Sequence, residues 1–120
     1  MEWEYSQSTG VLKFNHTKVA TGYAGYGSAK NKSAMQHMKN VGPIPRGEYE
    51  IKAPRTSART GPYVLPLLPV GHNALGRTHF QIHGDSRLNP GTASNGCIIM
   101  PRAIREKIWH SGIKKLRVIR

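Results

Sequence analysis

The chain has 120 residues, enough for one domain of ordinary size and too few for two, so residues 1–120 are read as a single unit. Hydrophobic residues make up 38% and charged residues 20%, with 13 Gly and 8 Pro, a mixture that argues against a coiled coil or a disordered tail and suits a loop-rich globular fold. Eighteen Lys and Arg against six Asp and Glu leave a formal charge of +12, a bias toward anionic partners.

Met1 to Gln7 lacks the basic and apolar regions of a secretory leader, so Sec-type export is not expected from it. Trp3 to Gln7 and Val11 to Asn15 flank Ser8-Thr9-Gly10 and read as a hairpin, with Thr17 to Tyr23 as a third strand. Gly25 to Asn40 carries no sustained apolar stripe and reads as loop, with a helical turn available at Ala34 to Met38. Gly42-Pro-Ile-Pro-Arg-Gly47 is a rigid lead-in to a strand over Glu48 to Lys52. The longest apolar run, Tyr63 to Val70, is broken by Pro66 and Pro69 and falls far short of the ~20 residues that cross a bilayer, so no membrane insertion is expected.

Thr78 to His83 alternates, which would turn Phe80 and Ile82 to the core and His79, Gln81 and His83 to the other face. Gly84 to Gly96 is a loop, and Cys97 to Met100 a short strand. Pro101 to Ser111 reads as a helix, with Pro101 in the first helical position, Ile104 and Ile108 at i and i+4, and Gly112 as its stop. Lys115 to Ile119 closes the chain as a strand. The expectation is a mainly β domain with one short C-terminal helix.

One cysteine can form neither an internal disulfide nor a Cys-rich zinc cage. Cys97 is therefore a buried hydrophobe or a reactive thiol. His83-Gly84-Asp85, 14 residues upstream at the end of a strand, supplies a base to take its proton and an imidazolium to stabilise the thiolate. Gly96 allows close approach of a substrate, and the successive amides of Gly96 and Cys97 are candidate donors to a developing oxyanion. For the other nitrogen of His83 the Gly84 carbonyl, the Asp85 carboxylate and a distant side chain are all candidate acceptors. Tyr23 sits in a Gly-rich stretch suited either to walling a substrate groove or to a turn-and-packing role. No metal or organic cofactor is implied: His79 and His83 on an extended strand stand roughly 13 Å apart, too far to share zinc.

His83-Gly-Asp with Ser94-Asn-Gly-Cys-Ile98 resembles the active-site signature of the L,D-transpeptidase (YkuD-like) enzymes. With Gly42-Pro-Ile-Pro-Arg-Gly-Glu-Tyr-Glu-Ile51, Gly61-Pro62, Arg77 and the Trp3 and Tyr5 start, most of the chain resembles the short antibacterial effectors of that kind delivered by type VI secretion. The resemblance implies a YkuD-like β-sandwich or barrel, with Cys97 as nucleophile, His83 as base and Ser94 at the family's Ser/Thr position. It implies attack on the bond between the L-centre of diaminopimelate and terminal D-alanine in peptidoglycan tetrapeptide stems, resolved by water or by a D-amino acid. It further implies action in the periplasm of an attacked bacterium and two partners, the secretion machinery and a cognate immunity protein. Asn95 stands where His commonly precedes Gly-Cys, and the loop from His83 to Ser94 is short. Arg87 and Arg102 are the candidate grips for a stem carboxylate, with Asp85 and Asn95 as further contacts. Two other readings are a catalytically dead wall-binding domain and a nucleic-acid-binding module using Lys114, Lys115, Arg117 and Arg120. No recognition motif with stacking aromatics accompanies those cations, so nucleic acid is not the expected partner.

Overall fold

A computed structural model describes residues 1–120. Alternation at the amino terminus builds strand β1 (Trp3–Ser6), which buries Trp3 and Tyr5 and leaves Glu4 and Ser6 partly accessible. It pairs antiparallel with β2 (Val11–Phe14), and β3 (Thr17–Thr21) continues the meander. The strand expected from Thr17 to Tyr23 is two. Tyr23–Ala24 forms a separate β4 that pairs with β9 (Ile98–Ile99). The break is at Gly22, where any Cβ would collide with the Ile99 carbonyl oxygen.

The remaining elements are β5 (Gly47–Ile51), β6 (Arg55–Ser57), β7 (Gly61–Val70), β8 (Gln81–His83), helix α1 (Arg102–His110) and β10 (Lys115–Ile119). Hydrogen bonding runs in the order β3-β2-β1-β10-β5-β7-β8-β9-β4, with β6 pairing to β7 off that path. The pairs β1–β10 and β8–β9 are parallel, and the others antiparallel. Strands β3 and β4 lie at opposite ends of this order yet are joined through Gly22 alone. The sheet must therefore curl until its two ends meet, which gives the mainly β, barrel-like fold with a single short helix.

Two expectations need correction. Strand β7, ten residues with three prolines, is central to the sheet, although Pro66 and Pro69 read as breakers. Leu67–Val70 pairs with β5, Leu65 and Pro66 with β8, and Gly61–Val64 with β6, so Pro66 lies where the strand changes partners and its missing amide donor is tolerated. Pro101 is the N-cap of α1 and not its first helical residue. The helix packs on β7 and β8 and buries Ile108. Trp3, Tyr49, Ile51, Leu65, Ile82, Ile98 and Leu116 belong to one contiguous core, where each buried aliphatic side chain contributes roughly 1.5–3 kcal/mol.

Candidate active site

The parallel register of β8 and β9 sets Ile82 beside Ile98 and His83 beside Ile99, which brings Gln81 next to Cys97. Ile82 and Ile98 face the core, so alternation turns Gln81, His83 and Cys97 to the opposite face. His83 and Cys97 are diagonal neighbours on adjacent parallel strands, offset by two positions. Both line one open cavity of about 450 Å³.

The expected run from Thr78 to His83 is shortened to Gln81–His83, because His79 adopts φ 66° and breaks the extended chain. That kink directs the His79 carbonyl to the nucleophile candidate: the Cys97 thiol donates to it at 3.7 Å. His83 Nδ1 lies 2.9 Å from the Gly84 carbonyl oxygen. A carbonyl only accepts, so Nδ1 carries the proton and Nε2 is left as the basic nitrogen. Of the three candidate acceptors, the chain uses the nearest. Burial pushes the His83 imidazole below its ordinary value, and the cations Arg105 and Arg59 add to this against the Gly84 bond. Burial likewise pushes the Cys97 thiol up, more than the amides of Gln81 and Cys97 and the guanidinium groups of Arg59 and Arg77 can pull it down. At neutral pH the resting pair is therefore thiol and imidazole, not thiolate and imidazolium.

The loop before Cys97 is held from two sides. Ser94, fully buried, donates to the Cys97 carbonyl at 2.6 Å and accepts from the amides of Gly25 at 2.9 Å and Gly96 at 3.0 Å. The Gly96 amide is thus already committed, which corrects its assignment as an oxyanion donor and makes Ser94 a positioning residue. Arg77, also buried, donates to the carbonyls of Gln36 (2.6 Å), Pro43 (3.0 Å), Gly42 (2.9 Å) and Asn95 (3.2 Å). Its guanidinium stacks 5.0 Å from the Phe80 ring centroid. Gly96 fits this clamp only as glycine: its φ is +138°, and a Cβ would stand 2.5 Å from Arg77 Nη2. Asn95 lines the cavity, and its carbonyl serves Arg77.

The expected substrate contacts are mostly elsewhere. Asp85 accepts from the Tyr23 hydroxyl at 2.6 Å and from the Ser86 and Gly91 amides, and Tyr23 in turn accepts from the Ala93 amide at 3.0 Å. Burial and the Asp85 bond push the Tyr23 phenol up to about 12. These two residues pin the loop between β8 and β9 and do not line the cavity, and exposed Arg87 does not line it either. Arg102 pairs with Glu106 at 3.0 Å and covers the Tyr63 ring, outside the cavity. Gly84 packs against buried Arg105, whose Nη2 lies 2.9 Å from where a Cβ would be, and that guanidinium serves the carbonyls of Met100, Pro62 and Tyr63.

The cations that do line the cavity are Arg59, Lys39 and Arg77, and no Asp or Glu lines it. Sequence reading missed Arg59 and Lys39. The basic carboxyl terminus is less free than its composition suggests, since Lys115 pairs with Glu2 and Glu48 at 3.6 Å and Arg117 with Glu2 at 3.3 Å.

A family model described as "Tlde1 domain" matches residues 18–120. No curated protein and no solved structure matches the chain.

Proposed function

We propose, for a chain that belongs to the Tlde1 domain family of type VI secretion effectors, an antibacterial cysteine enzyme that cuts or exchanges the ends of peptidoglycan stem peptides. The observation that carries this reading is the shared cavity of Cys97 and His83, with Nε2 of the histidine left basic by the Gly84 bond. Because thiol and imidazole are both neutral at rest, the proton moves as substrate binds. Cys97 Sγ attacks the carbonyl of the L-centre, its proton passes to His83 Nε2, and the oxyanion is met by backbone donors near the sulfur, the amides of Gln81 and Cys97. As the C–N bond breaks, His83 returns the proton to the departing D-alanine amine and leaves a thioester on Cys97. Water, deprotonated by the same imidazole, releases the acid and restores the thiol. A D-amino acid amine in place of water gives exchange instead. Either route removes cross-linking donors from a competitor's wall.

The cavity's cationic lining suits stems that carry several carboxylates. Delivery by the type VI machinery accounts for action in a target periplasm, and a producing cell needs an immunity protein that blocks this cavity. Mass spectrometry of tetrapeptide muropeptides after incubation tests the reading. Wild type is expected to release D-alanine or exchange it, and Cys97→Ala and His83→Asn to do neither. Equal turnover by wild type and Cys97→Ala would remove the nucleophile assignment. Stem binding without turnover by either protein would leave a wall-binding domain.

A further inference from the structure

The cavity holds more positive charge than a thiol and its base require, and its cations are not equally occupied. Arg77 is spent on four carbonyl oxygens. His83 has one nitrogen bound to Gly84. Arg59 differs from both. It sits in the turn between β6 and β7, its backbone amide donates to Ser57 Oγ at 3.2 Å, and its exposed guanidinium makes no hydrogen bond or ion pair with the rest of the chain. Neighbouring Thr60 is tied to Gln81 at 3.1 Å, which anchors this turn to the strand that carries His83. Lys39 also lines the cavity, but only Arg59 lies close enough to both reacting groups to lower the imidazole and the thiol alike. With no carboxylate in the lining, nothing within the protein neutralises it.

We infer that Arg59 is the carboxylate-binding subsite of the Cys97 cavity, a specificity-determining residue that grips a peptide carboxylate next to the scissile bond. A guanidinium presents a planar fork that matches a carboxylate in two hydrogen bonds, which fixes position as well as charge. This rests on the reading of Cys97 as the nucleophile. The same chemistry is offered by the terminal carboxylate of the leaving D-alanine and by the side-chain carboxylate of the diaminopimelate residue.

Two experiments test it. In the first, Cys97 is alkylated with iodoacetate and with its neutral analogue iodoacetamide. The ratio of the two rates cancels the thiolate population and reports only the attraction for the carboxylate. Arg59→Gln is expected to lower that ratio about three- to fivefold, and Lys39→Gln to change it little. An unchanged ratio in Arg59→Gln, a fall produced by Lys39→Gln instead, or a thiol that neither reagent labels in the native protein overturns the assignment. In the second, KM and kcat are measured for tetrapeptides amidated at the terminal or at the side-chain carboxylate. One amide is expected to raise KM for wild type and not for Arg59→Gln, and it identifies the gripped group; equal penalties in both proteins overturn the inference. A wild type inactive on every stem but retaining the Arg59-dependent iodoacetate preference separates failure of the wall reading from failure of the subsite.

Discussion

Replacing Gly96 with alanine tests whether the clamp around the loop before Cys97 is as tight as its geometry implies. Two costs add. At φ +138° an L residue is strained by about 1–3 kcal/mol, and a Cβ placed 2.5 Å from Arg77 Nη2, 3.0 Å from the Gly42 oxygen and 3.1 Å from Phe80 Cε1 adds overpacking of about 1–3 kcal/mol. The total, roughly 2–6 kcal/mol, is a large part of the 5–15 kcal/mol that holds a typical domain together. Gly27→Ala is the control, because Gly27 also has positive φ (+58°) but nothing within 4 Å of a Cβ, which leaves only the backbone term of about 1–2 kcal/mol. Urea unfolding followed by tryptophan fluorescence is expected to lower the midpoint by about 1 M or more for Gly96→Ala and by less than about 1 M for Gly27→Ala. The displaced Arg77 would also release the Asn95 carbonyl, so alkylation of Cys97 in native buffer should change for Gly96→Ala alone. Equal midpoints for the two variants would refute the steric argument.

Ser94→Ala strands the Gly25 and Gly96 amides and the Cys97 carbonyl, and should cost about 3 kcal/mol in the same urea assay, whereas a surface role would cost almost nothing. Tyr23→Phe should lower stability by about 1 kcal/mol through the lost Asp85 and Ala93 bonds while leaving KM for stems unchanged; a raised KM would return Tyr23 to the substrate contacts. On either side of neutral pH the dependence of stability follows from two of the shifted groups, His83 and Cys97. Since His83 is held below its ordinary value when folded, its contribution is complete above the unfolded value near ~6.5 and is lost as pH falls below it. Cys97 is raised, so its contribution is complete below the unfolded value near ~8.5 and is lost as pH rises beyond it. Urea midpoints measured against pH should lose the acid limb in His83→Asn and the alkaline limb in Cys97→Ala.

What the sequence discloses is local. Strand β10 is expected over Lys115 to Ile119 and forms there, and the hairpin expected from Trp3 to Asn15 forms as β1 and β2, because short-range patterns report local structure directly. His83 and Cys97 were legible as a pair through their motifs, although their register, two positions offset on parallel strands, belongs to pairing between distant segments. Strand β7 was hidden by its prolines, and with it the β6–β7 turn that carries Arg59 to the cavity. No nearby pattern marks Arg59, since only the folded hairpin brings it to the thiol. Arg77 is among the residues that carry the family resemblance, but its partners lie 18 to 41 residues away and only the fold brings them to it. Arg87 and Arg102 lie close to the motif in sequence, which on a curled sheet is a poor guide to closeness in space.

Strand β10 is the last element in chain order, yet it is the one that joins β1 to β5. While a ribosome is still making this chain, the two halves of the sheet have no hydrogen-bonded bridge, and β1 and β5 each present an open edge. Such a topology delays closure of the sheet until translation has passed β10, so a nascent chain carries His83 and Cys97 well before it carries the cavity they line.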